Sequence, residues 1–142
     1  MPISEDQGLK AILEEVRTIA LVGASDKSDR PSYRVMNYLL GQGYDVTPVN
    51  PRLAGQSILG QEAVASLEDL PHTVDMVDVF LAPERVDGIM DGVLGCGANT
   101  LWLQLGVIAP EAAKKAEKAG LRVVMDHCPA QEIPRLGLEK SA

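Results

Sequence analysis

The chemistry-bearing part of this chain is Thr18-Ile19-Ala20-Leu21-Val22-Gly23-Ala24-Ser25, followed by Asp26-Lys27-Ser28-Asp29-Arg30-Pro31-Ser32. An apolar run of β-type residues ends abruptly in Gly-Ala-Ser. A polar loop follows, and then a helical pattern with Pro31 in its first turn. A strand that passes through a glycine turn into a helix start presents unpaired backbone N–H groups, and the helix dipole favours an anion there. The segment therefore points to a ligand that carries phosphate, with a nucleotide as the leading class.

The second β-type run narrows the ligand. A dinucleotide site of the NAD type needs Gly-x-Gly-x-x-Gly and an acid at the end of the second strand for the ribose hydroxyls. Only Gly23 fits that pattern here, because positions 25 and 28 are serine. The second run ends in Val49-Asn50-Pro51-Arg52, with no acid. An arginine at that place suits an additional phosphate, as carried by NADP or coenzyme A (CoA), better than a free diol. Lys27 and Arg30 are further candidate phosphate partners. The competing reading of these two is an exposed pairing with Asp26 and Asp29, worth little energy.

Other reactive residues carry less. His127-Cys128 is a nucleophile-like pair, but neighbours on an extended chain point to opposite faces, and no third residue completes a catalytic constellation. Cys96 and Cys128 match no zinc spacing, so no metal site is expected. His72 beside Pro71 reads as a loop residue, and Trp102 reads as core or an interface anchor. Asp78 lies inside an apolar run, where a bare carboxylate is costly, so it is expected to accept hydrogen bonds from its surroundings.

Five β-type runs alternate with helical patterns: Thr18–Val22, Asp45–Val49, Met76–Phe80, Thr100–Leu105 and Arg122–Met125. They are nearly continuous in apolar residues, as parallel strands buried on both faces are. Helical spacing covers Glu5 to Val16, Pro31 to Leu40, Pro83 to Leu94 and Pro110 to Ala119, with a single turn at Ser66–Leu70 before Pro71. The chain from Glu139 to Ala142 is expected to fray. The pattern predicts one Rossmann-like, doubly wound α/β domain over residues 1–142, with its core at about 16–138. Its sheet is five-stranded and mostly parallel, in the order 3-2-1-4-5, with helices on both faces. Ligands of such sheets sit outside the carboxyl ends of the strands. Gly23-Ala24-Ser25, Asn50-Pro51-Arg52, Leu81-Ala82-Pro83, Gln104-Leu105-Gly106 and His127-Cys128-Pro129 all fall on that rim.

The bulk composition sets outer bounds. The 142 residues carry a formal net charge of -7, which opposes broad binding to nucleic acid or anionic membrane. No apolar run is long enough to span a bilayer, and the acidic stretch Met1–Lys10 is unlike a signal peptide. A cytoplasmic location with reduced cysteines is the expectation.

With these features in place, the chain resembles the small stand-alone CoA-binding proteins, which share the fold of the CoA-binding domain of the succinyl-CoA synthetase α subunit. The pieces that carry the resemblance are VGASDKSDRPSY, VTPVNPRLAGQSILG, VDMVDVFLAP, TLWLQLGV and VVMDHCPAQEIPRLGL. It implies that Gly23, Ala24 and Ser25 hold the CoA diphosphate through N–H groups and a hydroxyl. Lys27, Arg30 and Ser32 add phosphate contacts. Pro51 and Arg52 border the 3′-phosphorylated ribose and adenine, and Leu81, Ala82, Pro83 and Val86 form an apolar wall for the adenine. Gln104 and Gly106 correspond to the pantetheine side.

The chain also departs from the synthetase. Its first loop has fewer glycines, and Arg52 stands where the synthetase has a second-strand lysine in a different register. The phosphohistidine domain does not fit in this length, so ligase activity does not carry over. The resulting expectation is binding of CoA or an acyl-CoA without catalysis by this chain. The rivals are an NADP-dependent or acyl-CoA-processing enzyme and a CoA-binding subunit of a ligase-like complex. A protein partner stays open.

Overall fold

The computed structural model describes residues 1–140. Helix α1 (Asp6–Glu15) leads into β1 (Thr18–Val22), α2 (Pro31–Gly41) and β2 (Asp45–Val49). A short hairpin follows, β3 (Ser57–Ile58) and β4 (Gln61–Glu62), and then β5 (Met76–Val79). The remainder is α3 (Met90–Gly95), β6 (Thr100–Leu103), α4 (Pro110–Lys118), β7 (Arg122–Val124) and α5 (Pro129–Arg135). Tight 3-10 turns of helix cover Leu67–Asp69 and Pro83–Ile89. The helical pattern expected at Pro83–Leu94 is therefore split between a 3-10 segment and α3.

The five main strands form a parallel sheet in the order β2-β1-β5-β6-β7. This is the expected doubly wound architecture with helices on both faces. The position of the third main strand differs from the expected 3-2-1-4-5: β5 lies beside β1, and the order of the five is 2-1-3-4-5. Pro48 supplies the reason. Proline has no N–H for a ladder, so β2 belongs at an edge. The outer side of Pro48 meets only Val64, whose N–H donates to the Pro48 carbonyl at 3.0 Å. All four residues of β5 are buried, as suits an interior strand.

Side chains alternate across the sheet and build two cores. Ile19, Leu21, Met76, Trp102 and Val124 face α1, α2 and α5, meeting Leu9, Ile12, Met36, Leu39 and Ile133. Ala20, Val22, Val77, Val79, Leu101, Leu103 and Val123 face the other way, against Val86, Met90, Val93 and the alanines of α4. Trp102 is core, with its indole N–H donating to the His127 carbonyl at 2.9 Å.

The amino end of the sheet is sealed. The Asp75 carboxylate accepts the N–H groups of Arg17 (2.8 Å) and Thr18 (3.2 Å), and the Thr18 hydroxyl accepts the Asp75 N–H. Near the carboxyl terminus, the Tyr38 hydroxyl donates to Glu139 and the Lys140 N–H donates to Gln42. Glu139 and Lys140 are thus hydrogen-bonded to α2 and its C-cap, while Ser141 and Ala142 lie outside the described residues. No helix among the described residues is long and apolar enough to cross a membrane.

Asp78 departs from expectation. Its register neighbours are Leu21 and Trp102, and Met76 shares its face of the sheet. Neither carboxylate oxygen has a hydrogen-bond partner. Desolvation pushes the group up to about 8, so it is a neutral acid at pH 7. The group titrates near 4 in the unfolded chain, so folding takes up a proton between about pH 4 and pH 8. Its contribution is fully favourable below that window and is lost as pH rises through it, by up to about 1.4 kcal/mol per pH unit. Asp78→Asn is expected to flatten this slope. Chemical denaturation of both proteins at pH 5 and pH 8 checks it: the parent should lose more stability across that interval than the variant.

Candidate functional site

The carboxyl ends of β1, β2 and β5 meet at the point where the strand order reverses, the usual ligand edge of such a sheet. Gly23 leaves β1 with φ of +86°, and a Cβ at this position would stand 2.2 Å from the Phe80 carbonyl oxygen. Only glycine fits so close a backbone approach. Its N–H and that of Ala24 both donate to the Val49 carbonyl, at 3.0 and 3.3 Å. These two donors are already used within the fold, which corrects the expectation that they face a phosphate.

The open donors lie further along. The Ser25 hydroxyl oxygen accepts the Lys27 N–H at 3.1 Å and keeps its own proton for another partner. Helix α2 starts at Pro31 without a side-chain cap, which leaves the N–H groups of Ser32 and Tyr33 without a partner among the described residues, at the positive end of the helix dipole. Asn50 fastens the loop after β2 to the glycine turn. Its side-chain N–H donates to the Ala24 carbonyl and its side-chain oxygen accepts the Arg52 N–H, both at 2.8 Å.

These segments enclose a cleft with two lobes that share Gly23, Asn50, Arg52 and Phe80. One lobe, about 470 Å³, is lined by Ala24, Ser25, Lys27, Arg30 and Ser32. The other, about 460 Å³, has Val22, Val49, Leu67, Leu81 and Ile89 as apolar lining and Pro51 and Arg85 among its other residues. Lys27, Arg30, Arg52 and Arg85 form no ion pair among the described residues, and neither do Asp26 and Asp29. The competing reading of a self-paired loop is not what the structure adopts.

Comparison with known proteins follows the same line. Residues 17–134 match the family described as "CoA binding domain". The chain belongs to this family. The uncharacterized protein YneT of Bacillus subtilis (strain 168) is 36% identical over 120 residues, which is 84% of this chain and 87% of that protein. The solved structure of cell-free ID.343 from Thermus thermophilus is 44% identical, covers 94% of this chain and 99% of that one, and has a TM-score of 0.90. A hypothetical protein from Pyrococcus horikoshii OT3 is 38% identical, with 96% of each chain covered and a TM-score of 0.89.

Within this CoA binding domain the structure gathers Gly23, Ala24, Ser25, Lys27, Arg30, Ser32, Pro51, Arg52 and Leu81 around one cleft. Ala82 and Pro83 are exposed outside its lining. Val86 is fully buried against the sheet, so it cannot form a ligand wall. Gln104 and Gly106 follow β6, which β5 separates from β1. Gln104 is buried with its side-chain oxygen unpaired, and the Gly106 N–H donates to Asp126 at 2.7 Å.

His127 and Cys128 are not assembled as a pair. The imidazole Nδ1 lies 3.6 Å from Glu132, while the thiol is buried in the core beneath α1, α2 and α5. Glu132 also accepts two hydrogen bonds from the Arg135 Nε, and Arg135 reaches Asp6 at 2.8 Å, which ties α5 to α1. No group of three or more His, Cys, Asp or Glu is placed to hold a metal among the described residues. Sequence reasoning placed Asn50 on the rim without a role and missed Phe80 and Arg85 as cleft residues. The Asn-Pro pair after a strand was the available signal for the role of Asn50, since asparagine bonds its own backbone two residues on.

Gly23→Ala is expected to destabilise the fold by about 3 kcal/mol, through the Phe80 clash and the positive φ. Asn50→Ala should cost about 1–3 kcal/mol by leaving its partners unpaired. Thermal and urea denaturation measure both, and amide exchange in Asn50→Ala should rise at Arg52.

Proposed function

We propose that this protein binds coenzyme A or an acyl-CoA in the two-lobed cleft and carries no catalytic step of its own. The observation that supports this best is the pairing of a phosphate-type lobe with an apolar lobe at Gly23, flanked by four cations that form no ion pair among the described residues. In this reading the diphosphate lies at Ser25, Lys27, Arg30 and the start of α2. Unpaired N–H groups and the helix dipole favour it there. The adenosine lies in the apolar lobe between Leu67, Leu81 and Ile89, and the pantetheine leaves along the rim towards Gln104 and Gly106. Both lobes have the size of a small-molecule site.

The loop after β2 favours CoA over NAD. An acid would accept from both ribose hydroxyls, whereas Asn50-Pro51-Arg52 brings a cation and an asparagine already engaged with backbone. The reading as a binding module rests on the separation of His127 from Cys128. Two free, buried thiols suit a reducing compartment, and the cytoplasm is the proposed location.

Calorimetric titration tests the proposal. CoA is expected to bind at least about tenfold more tightly than NAD, NADP or ATP, a difference of about 1.4 kcal/mol. Ser25→Ala should weaken CoA about 2- to 10-fold, the loss of one neutral hydrogen bond. Tighter binding of NAD than of CoA would overturn the assignment. Release of free thiol from several acyl-CoAs should stay at background, and turnover abolished by His127→Ala or Cys128→Ser would replace the binding module with an enzyme.

A further inference from the structure

We propose that Arg85 reads the phosphate on the ribose 3′ oxygen and so sets the preference for CoA over dephospho-CoA, with Arg52 serving the nucleotide as a whole. This rests on the reading of the cleft as a CoA site and assigns a specificity role to a residue outside the expected set.

The argument starts from topology. Arg52 follows β2 and Arg85 follows β5, and these two strands flank β1. Their carboxyl ends stand roughly 10 Å apart at the level of the sheet, two strand spacings, with Gly23 between them. Segments that rise from either side of Gly23 form the two walls of the space above it.

The two arginines differ in what they line. Arg52 belongs to both lobes. Arg85 lines only the apolar lobe, where it is the one cation besides Arg52 among the lining residues. With the base in the apolar lobe and the diphosphate at the α2 start, the ribose sits at the junction. A second phosphate on that ribose then lies on the side of the apolar lobe. Its dianion needs a counter-charge there, because besides the two arginines the lobe offers apolar side chains, Ser66, Glu68 and Asn50, whose amide is already bonded to Ala24 and Arg52. The Ser66 hydroxyl already donates to Asp69. Glu68 lines the lobe and its carboxylate also reaches Gly92, where an added Cβ would meet it at 3.1 Å; as an acid it supplies no counter-charge.

Arg85 is free for the task. It is exposed and forms no salt bridge or side-chain hydrogen bond among the described residues. Its neighbour Val86 is fully buried and anchors the 3-10 segment to the sheet, so the backbone that carries Arg85 is fixed. A guanidinium on a fixed backbone binds phosphate through a planar fork that an ammonium cannot reproduce.

The test is a titration matrix of the parent, Arg85→Ala, Arg85→Lys and Arg52→Ala against CoA and dephospho-CoA, at fixed salt. Arg85→Ala should weaken CoA about 10- to 100-fold and leave dephospho-CoA within about twofold of the parent. Arg85→Lys should recover part of the discrimination. Arg52→Ala should weaken both ligands. Equal affinity of parent and Arg85→Ala for CoA overturns the inference while CoA binding itself stands, as does an equal loss for both ligands in Arg85→Ala. A parent that binds neither ligand overturns the CoA reading and this inference with it.

Discussion

The rim is organised by the contact between Gly23 and the backbone of Phe80. β1 and β5 are adjacent at the point where the chain changes direction across the sheet, and their ends converge until no Cβ fits between them. The turn is also held from its other side, because the Val49 carbonyl receives both the Gly23 and the Ala24 N–H. A segment fixed by both neighbouring strands has little freedom. The loop that follows projects past the sheet, and α2 begins with open N–H groups directed at the same space. The glycine shapes the cleft through the course of the chain, and the open donors follow two or more residues later.

The molecule separates stability from recognition. Asp75 closes the strand starts at the amino end of the sheet, and the Arg135 bridge between Glu132 and Asp6 binds the last helix to the first. At the carboxyl end, Lys27, Arg30, Arg52 and Arg85 are left without ion partners among the described residues. Asp78 is the polar defect in the otherwise apolar β5. Burial with no partner keeps it protonated at neutral pH, because the ionised form has no compensation there.

Much of this architecture is legible in the residues. The near-continuous apolar runs mark buried parallel strands, and the Gly-Ala-Ser turn before a proline-started helix marks the ligand edge. Pro48 also holds the order of the strands, since an interior strand would not carry it, although periodicity alone does not weigh that signal. Helix α5 is concealed by Pro129 and Pro134, which read as breakers. In the fold Pro129 occupies the first helical turn, where no N–H is needed, and Pro134 falls in the last turn. The segment after β5 is read correctly by its spacing, which packs Val86 on the sheet. The wall at Val86 is what the resemblance implies, and burial overturns it, while the exposed neighbour Arg85 carries no apolar signal that would mark it. Gln104 and Gly106 sit farther from the turn than their rim positions imply, because β5 intervenes.

The charge distribution explains how an acidic protein can favour one anion. A formal charge of -7 repels an extended polyanion over most of the surface, whose contacts would fall on acids as often as on bases. A compact ligand samples only the local field. In the cleft that field combines four cations and the open N–H groups of α2, which outnumber the carboxylates of Asp26 and Glu68, with an apolar lobe whose low polarizability strengthens each charge interaction. Because these cations have no ion partner among the described residues, a ligand need not displace a salt bridge there to reach them. On the proposed reading, selection for a small, multiply phosphorylated molecule with a flat apolar base rests on the shape of one rim.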